Sequence, residues 1–383
     1  MIYKIGDNIF SPLGFTTEEN YINVKNGIRG GALREGTFGL PEPFFGSLLD
    51  WEAVEACVAR ELRPTHCRLT AFEKIMLLSA NRAVTGAGID PKASDVLFVL
   101  STTKGNVALL GEPDGFGEDR ANLWSSAHVL GDYFGNPNEV VVVSNACISG
   151  VAAQLLAFDL MRTKGYRYAV VVGADVLSKF VVSGFQSFKA LSPELCKPFD
   201  ENRVGLNLGE AAATLVFEQV PDDTALPAGS IVWRGGANRN DANHISGPSR
   251  TGEGLFNATM LAMRNLPKED ISFICAHGTA TRYNDDMESW AISRAGLSDV
   301  PSFSLKGFYG HTLGAAGVLE CILSMCAVSD GCVLPTVGYE KYGVVQPITV
   351  CDRLMRSDKS GFLKLISGFG GSNAAIAYQV VRD

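Results

Sequence analysis

A cysteine between a strand-like run and a helix-like run is the first candidate for chemistry in this sequence. Cys147 follows the β-branched run at 140–143 and precedes an Ala- and Leu-rich stretch that reaches about Arg162. A thiol at a helix N-terminus faces unpaired backbone N–H groups and the positive end of the helix dipole, which lower its pKa and favour the thiolate. This placement predicts a nucleophile, although the segment alone fits a small core cysteine equally well.

Two histidines stand in loops that suit reactive side chains. His277 follows the strand-like SFICA and lies in HGTATRYND, whose composition is typical of a structured loop. His311 lies in LKGFYGHTLGAAG, where four glycines allow close backbone approach and a helix begins just after the histidine. Each histidine alone also fits a hydrogen-bonded structural role.

Three charged residues lie close to these histidines in the sequence. Asp285 and Glu288 open a helix after the first histidine loop, where acidic residues match the helix dipole, so capping is their default role. Lys306 stands five residues before His311, and by itself it reads as a surface ammonium.

The elements that must position these residues alternate between strand-like and helix-like runs. This alternation, with strands apolar on both faces, predicts an α/β fold. In such folds the functional crevice lies at the carboxyl ends of the strands, and four strands run directly into glycine or polar residues: VVVSNAC, VVVGAD, FICAHGT and LISGFGG. The predicted strands are Val96–Leu100, Val140–Val143, Ala169–Val172, Ala213–Phe217, Ser272–Cys275, Phe362–Ile366 and Ala375–Val380.

A weak internal echo adds to this picture. The segment SNACISGVAAQLLAFDLMRTKG, which ends at Gly165, resembles YGHTLGAAGVLECILSMCAVSDG, which ends at Gly331. Two similar halves packed together would fit 383 residues, more than one hydrophobic core usually holds. Chance similarity between two Ala-rich helices explains the echo equally well.

Bulk composition excludes several classes of function. The net charge of −8 gives no diffuse basic field for nucleic acid or anionic lipid, and apolar runs are far shorter than the ~20 residues of a membrane span. The N-terminus lacks the pattern of a secretory signal, so we expect a cytoplasmic protein. Nine cysteines without a C-x-x-C pair argue against a disulfide framework or a zinc site, and we expect all but Cys147 to be buried core residues.

Taken together, the motifs resemble those of one enzyme family. NACISG, AHGTAT, KGFYGHTLGAAG and GFGGSN occur in the order and spacing of the β-ketoacyl-acyl-carrier-protein synthases, and most resemble the elongating Cys-His-His condensing enzymes. The resemblance covers almost the whole chain, with further similarity in IGDNIFSPLG, NGIRG and PFDENRVGLNLGEAAATLVFE. It implies a thiolase-like, five-layered α/β/α/β/α fold of two duplicated halves, 1–220 with the nucleophile and 221–383 with both histidines.

The family resemblance also implies a reaction. Cys147 would accept an acyl group from coenzyme A or a carrier protein, after which malonyl-carrier protein binds, loses carbon dioxide and attacks the acyl thioester. His277 and His311 would stabilise the enolate by donating hydrogen bonds to its oxygen. The backbone N–H groups of Cys147 and Phe369 would form the oxyanion hole.

Two further roles and a partner come from the same resemblance. Lys306 would orient the histidines, with Glu288 as its ion-pair partner, and Phe369 would gate acyl entry. An acidic acyl carrier protein requires a basic docking patch, for which Arg63, Arg68, Lys74 and Arg203 are candidates, with ordinary solubility as the equal alternative. We expect no bound cofactor or metal, because the phosphopantetheine arm belongs to the substrate.

The sequence departs from the family pattern at two positions near the site. Ile148 replaces the usual serine or threonine after the nucleophile, which could narrow or redirect the acyl pocket. Arg282 stands where proline is common and could alter substrate choice, although a plain surface arginine fits as well. With a short LSPELCKPFDENR segment, these departures make a specialised polyene or polyketide pathway plausible beside fatty-acid elongation.

Three alternatives were weighed. A thiolase would need a second catalytic cysteine in the final glycine-rich region, and GFGGSN has none. Initiating and chalcone-type synthases pair cysteine with histidine and asparagine, whereas His311 fills the third position here. A non-catalytic chain-length partner subunit typically replaces the nucleophile, and Cys147 is present. A homodimer is expected, and pairing with an inactive paralogue stays open.

Overall fold

The structure, a computed structural model, describes residues 1–110, 115–244 and 247–382. Its strands are β1 (Ile2–Phe10), β2 (Ala32–Arg34), β3 (Phe44–Ser47), β4 (Val96–Ser101), β5 (Val141–Val143), β6 (Tyr168–Asp175), β7 (Leu208–Gly209), β8 (Ala211–Gln219), β9 (Ile231–Asn240), β10 (Ile271–Cys275), β11 (Ser302–Phe303), β12 (Cys332–Val333), β13 (Met355–Arg356), β14 (Gly361–Gly368) and β15 (Ser372–Val380). Its helices are α1 (Thr17–Lys25), α2 (Trp51–Glu61), α3 (Ala71–Ala87), α4 (Leu123–Phe134), α5 (Ser149–Lys164), α6 (Lys179–Ser187), α7 (Glu253–Ala262), α8 (Arg282–Arg294), α9 (Lys306–Tyr309) and α10 (Ala316–Ser329).

Ten strands form two groups of five with the same topology. The order across the array is β11-β10-β14-β15-β9-β1-β8-β6-β4-β5. In the first group β5, β4 and β6 are parallel and β8 and β1 follow antiparallel, and in the second β11, β10 and β14 are parallel and β15 and β9 follow antiparallel. The pair Tyr3 and Val232 joins the groups. The chain therefore builds one arrangement twice.

The two helices of the sequence echo, α5 and α10, form the layer between the strand groups. Both helices contact strands of both groups and each other. Their closest approach is at two glycines, where a Cβ on Gly150 would lie 2.8 Å from the nitrogen of Val318 and a Cβ on Gly317 would lie 2.6 Å from that of Val151. Because no larger side chain fits there, these glycines set the contact.

Outer helices complete the five layers. Helix α3 packs on β1, β6 and β8, and α7 packs on β9, β14 and β15. Helix α3 starts with a capping box between Thr70 and Glu73 and ends at Gly88 in the left-handed conformation, so its boundaries follow from local sequence. Among the described residues, no helix has both the length and the apolar character needed to cross a bilayer.

All seven predicted strands are present, but the expectation for the cysteines was partly wrong. Cys67 is exposed and Cys326 is only half-buried, whereas the other predicted core cysteines are buried. Cys67 lies in an irregular segment before α3, where the apolar neighbours that suggested burial pack elsewhere.

Candidate active site

A tight turn between β5 and α5 presents Cys147. Ala146 adopts φ 44°, a left-handed conformation that is unfavourable for a residue with a Cβ. The hydroxyl of Ser149 holds this turn, since it accepts the N–H of Asn145 at 2.7 Å and donates to the carbonyl of Ala146 at 2.6 Å. The turn therefore fixes Cys147, 8% exposed, at the base of a cavity.

Burial, rather than the helix end, dominates the acidity of this thiol. Desolvation raises the pKa of Cys147 to about 11, while Lys306, Lys104 and the backbone N–H of Phe369 act in the opposite direction. The prediction of a lowered pKa was therefore wrong, because removal of water from the buried thiol is the largest effect here. At neutral pH the resting side chain is therefore a thiol.

Two buried carboxylates of α8 hold the loop that carries His277. Glu288 accepts the N–H of His277 at 2.7 Å and that of Gly278 at 2.6 Å. Asp285 accepts the N–H of Thr279 at 3.0 Å. The default interpretation of Asp285 and Glu288 as helix caps was wrong, since both bind backbone of the histidine loop.

His311 is fixed through its backbone and one ring nitrogen. Its N–H donates to the carbonyl of Asn207 at 2.7 Å, and its Nδ1 accepts the N–H of Leu313 at 3.3 Å. Because Nδ1 accepts, the ring proton is on Nε2. Nε2 is buried and has no hydrogen-bond partner within the described part of the chain. A hydrogen-bond donor is therefore ready for a ligand.

The cysteine and the two histidines form one cluster. Cys147 Sγ and one ring nitrogen of each histidine all lie within 4.8 Å of one another. The rings of His277 and His311 meet edge to face, with centroids 5.0 Å apart. Burial, together with the positive charge of Lys306, holds the pKa of both imidazoles well below the usual range. Both rings are therefore neutral at physiological pH.

Lys306 pairs with Glu320, so the expected pairing with Glu288 was wrong. The Lys306 ammonium contacts one oxygen of Glu320, and Lys364 Nζ lies 2.5 Å from the other. Sequence reasoning missed Glu320 and Lys364. Each is a lone charge in an apolar element, GVLECILSMC and GFLKLIS, and this signal could have identified them because such charges are rarely buried without a partner.

Phe369 stands at the mouth of the cavity, directly after β14. Its backbone N–H lies against the thiol of Cys147, and its ring is 38% exposed. The ring packs against Phe185 and Phe188, at centroid distances of 6.1 and 5.4 Å. The cavity has a volume of about 610 Å³, and Cys147, His277 and His311 line it together with these rings. This volume suits an organic ligand.

Two models of known protein families together match most of the chain. The family model for the beta-ketoacyl synthase N-terminal domain matches residues 60–222, and the model for the beta-ketoacyl synthase C-terminal domain matches residues 230–340. The chain belongs to the β-ketoacyl synthase family. It is an acyltransferase that forms β-ketoacyl thioesters by condensation, in fatty-acid or polyketide synthesis.

Individual relatives agree with this assignment. The synthase is 29% identical over 372 residues to the tetracenomycin polyketide synthase ketoacyl synthase alpha subunit of Streptomyces glaucescens, over 85% of this chain and 84% of that protein. Its fold is similar to a ketosynthase in complex with its chain length factor from Xenorhabdus doucetiae, with a TM-score of 0.87 and 23% identity over 99% and 98% of the two chains. A type II polyketide synthase acyl-carrier protein in complex with its ketosynthase matches with a TM-score of 0.83 and 21% identity over 99% of both chains. The expected thiolase-like fold is confirmed.

The four cations considered for carrier docking differ in exposure. Arg203 is 4% exposed and pairs with Asp286 at 2.7 Å, so its assignment to a docking surface was wrong. Arg63 and Arg68 are exposed, and Lys74 lies 2.5 Å from Glu55. By exposure, Arg63 and Arg68 stay docking candidates, whereas Arg203 is part of the interior.

The two departures from the family pattern differ in their relation to the cavity. Ile148 is 1% exposed and packs in the core at the start of α5, and it is not among the residues that line the cavity. Arg282 is exposed at the start of α8 and lines the cavity with Tyr283. Of the two, only Arg282 is therefore placed to contact a ligand in the cavity directly.

Proposed function

We propose that this synthase condenses an acyl group on Cys147 with malonyl-acyl-carrier protein, with loss of carbon dioxide, to give 3-oxoacyl-acyl-carrier protein. The single observation that supports this most strongly is the buried cluster of one thiol and two neutral imidazoles in one cavity. A neutral imidazole carries one N–H group, and this group can donate a hydrogen bond to the enolate oxygen.

The first step is acyl transfer. Cys147 sulfur attacks the carbonyl carbon of the acyl thioester, and the oxyanion is stabilised by the backbone N–H groups of Cys147 and Phe369. The carbon–sulfur bond to the pantetheine arm then breaks. The proton of the Cys147 thiol passes to the departing sulfur, and the neutral imidazole of His277 is near enough to relay it.

The second step is decarboxylation and condensation. The bond between the malonyl methylene and its carboxylate breaks, and its electron pair forms an enolate whose oxygen accepts hydrogen bonds from His277 and His311. The enolate carbon attacks the acyl thioester on Cys147 and releases the sulfur as a thiolate. The thiolate takes up a proton, and the product carries two more carbons and a 3-oxo group.

Supporting residues hold this cluster. Glu288 fixes the loop of His277 through the backbone, and Lys306 provides a positive charge beside both rings. Phe369 serves as a gate that moves as the acyl chain enters, and its contacts with Phe185 and Phe188 define the closed position.

The substrate indicates acyl carrier protein as the partner, and the open edge of strand β5 indicates a dimer. Acyl carrier protein would dock beside the cavity mouth, and Arg63 and Arg68 are candidate contacts by their exposure, although neither lines that cavity. Strand β5 ends the ten-strand array, and its valines are half-buried, which suits pairing with a second subunit. We infer a homodimer, and a heterodimer with a paralogue as the alternative, since the Xenorhabdus doucetiae ketosynthase is in complex with its chain length factor.

The similarity to a polyketide ketosynthase supports a specialised polyene or polyketide pathway beside fatty-acid elongation, to which the similarity to a putative mitochondrial 3-oxoacyl-acyl-carrier-protein synthase of Schizosaccharomyces pombe corresponds. Residues 1–220 and 221–383 would be the two halves, the first carrying Cys147 and the second both histidines. A reducing compartment such as the cytoplasm keeps the nucleophile as a free thiol.

Intact mass spectrometry tests the nucleophile. The purified synthase is incubated with a panel of acyl-carrier proteins of different chain length, beside the Cys147→Ala variant. A gain of one acyl group that is absent in the variant supports the proposal, and the preferred chain indicates the pathway. If no donor acylates the wild-type protein, the proposed nucleophile is wrong and a non-catalytic chain-length partner becomes the better account.

A further inference from the structure

Lys364 is a buried cation in the middle of β14. It is 0% exposed, and its Nζ lies 2.5 Å from Glu320 Oε2. The same ammonium donates to the carbonyls of Ala276 at 3.1 Å and Cys275 at 3.4 Å. These carbonyls belong to the two residues directly before His277. Lys364 therefore contacts both the charged group behind the histidines and the backbone that leads into one of them.

The buried charges do not cancel. Lys306 and Lys364 carry two positive charges and Glu320 one negative charge, so the group of three has a net charge of +1. Lys306 and Glu320 alone would be a neutral pair. Glu288, a further buried carboxylate that interacts with Lys364, binds the backbone of the His277 loop, and burial raises its pKa to about 7, so it compensates this charge only in part. A buried positive charge that is only partly compensated lowers stability, and such charges are typical of sites where the charge serves the reaction.

The positive charge lies beside the cluster that handles negative charge. Lys364 and Lys306 both act on His277 and on His311 and lower the pKa of each imidazole, in addition to the effect of burial. The ionisable groups that interact with Lys364 from the surrounding elements are Glu320 and Cys321 of α10, Cys275 of β10, Glu288 of α8, and His277 and His311.

We propose that Lys364 is a positioning residue of the synthase, which fixes the entry into the His277 loop and supplies a partly compensated positive charge that stabilises the enolate oxygen. The inference rests on the proposed roles of His277 and His311. It concerns charge as well as shape, because an uncharged residue of the same length would fill the strand position but leave the Lys306–Glu320 pair neutral.

Three variants separate the charge from the packing. Lys364→Met removes the charge and keeps an unbranched side chain. The double variant Lys364→Met/Glu320→Gln leaves Lys306 alone and so restores a net charge of +1. Lys164→Met, at an exposed lysine in the last turn of α5, is the matched control.

The first measurement is the pKa of each histidine ring. It is obtained by NMR of the full chain, labelled with ¹⁵N-histidine, over a range of pH. In Lys364→Met we expect the pKa of His277 to rise by about one pH unit or more, because a nearby positive charge has been removed. The double variant should return it toward the wild-type value. An unchanged pKa in Lys364→Met, or a further rise in the double variant, overturns the proposal.

The second measurement is decarboxylation of malonyl-acyl-carrier protein. In Lys364→Met we expect kcat to fall about 10- to 100-fold, with the acid limb of its pH profile moved to higher pH, while acylation of Cys147 changes by less than about threefold. Equal losses in acylation and decarboxylation with a wild-type pH profile would mean a packing role only. If the wild-type chain does not decarboxylate malonyl-acyl-carrier protein, the proposed function fails, and the NMR result still decides the charge effect of Lys364.

Discussion

The backbone N–H of Leu313 donates to Nδ1 of His311 across 3.3 Å, and this contact decides which ring nitrogen carries the proton. Nε2 is then a donor, buried in the cavity with no partner among the described residues. His311 therefore meets the requirement for a group that binds developing negative charge, as the condensation demands.

His311→Ala should separate the two chemical steps. We expect malonyl decarboxylation to fall at least about 100-fold, because one preorganised donor to the enolate oxygen is lost, while acylation of Cys147 persists within about tenfold of wild type. Carbon dioxide release and intact protein mass measure the two steps. His128→Ala is the control, since His128 is exposed on α4. A variant that decarboxylates at the wild-type rate would contradict the assignment.

The thiol of Cys147 should be slow to react in the resting enzyme. Because burial raises its pKa to about 11, the rate of alkylation by iodoacetamide should keep rising with pH through 9 and 10. Peptide mass mapping in a Cys67→Ser background removes the signal of the exposed cysteine. A rate that reaches its plateau below pH 8 would show that the thiolate already exists at rest and would contradict the raised pKa of the buried Cys147 thiol.

The contribution of Glu210 to the free energy of unfolding should decrease as pH rises toward neutrality. Burial raises its pKa to about 7, although its oxygens accept the N–H groups of Leu49 and Leu177. Since the folded pKa lies above the usual 4.5, the protonated form is favoured by folding. Its contribution is complete below about pH 4.5, falls as pH rises, and is lost above about pH 7. The difference between the pKa of about 7 in the folded protein and the usual 4.5 corresponds to about 3 kcal/mol of unfolding free energy.

Denaturant unfolding of wild type and Glu210→Gln at several pH values between 4.5 and 7.5 measures this effect. The free energy of unfolding should fall with pH more steeply in the wild type than in the variant, which has no carboxyl group to ionise at this position. Parallel curves for the two proteins would mean that Glu210 does not titrate in this range.

Phe188→Ala should loosen the closed position of Phe369. An aromatic contact of this kind contributes about 0.5–1.5 kcal/mol, which corresponds to about a 2- to 12-fold change in an equilibrium. We expect the acyl group on Cys147 to be hydrolysed faster by a similar factor. Mass spectrometry of the acylated protein over time measures this rate. Phe180→Ala is the matched control, because Phe180 lies in α6, Phe188 directly follows that helix, and both residues are 59% exposed. Equal hydrolysis in both variants would contradict the gate.

Much of this architecture could be predicted because local pattern and tertiary environment agree. Strand β6 is apolar along nearly its whole length and is buried on both faces, so its sequence alone identifies it. Strands β1 and β9 were missed because IYKIGDNIF and IVWRGGANRN carry glycines and charges. They form only through pairing with β8 and β15, which short-range periodicity cannot reveal.

The motifs identified three residues that the fold brings together, but not their surroundings. Cys147, His277 and His311 lie in recognisable segments and are brought together by the fold. The partner of Lys306 could not be predicted from spacing, because Glu320 and Lys364 come from an apolar helix and an apolar strand that meet only in the tertiary structure. The raised pKa of Cys147 was missed for the same reason, since burial depends on the whole chain.

One turnover assay tests the central claim most directly. The synthase is acylated, freed of excess donor and mixed with malonyl-acyl-carrier protein, and the carrier product is weighed by mass spectrometry. We predict 3-oxoacyl-acyl-carrier protein two carbons longer than the donor chain, with loss of the acyl group from Cys147, and no such product from Cys147→Ala. Formation of the same product by Cys147→Ala, or release of free acid without a longer chain by the wild type, would contradict the account.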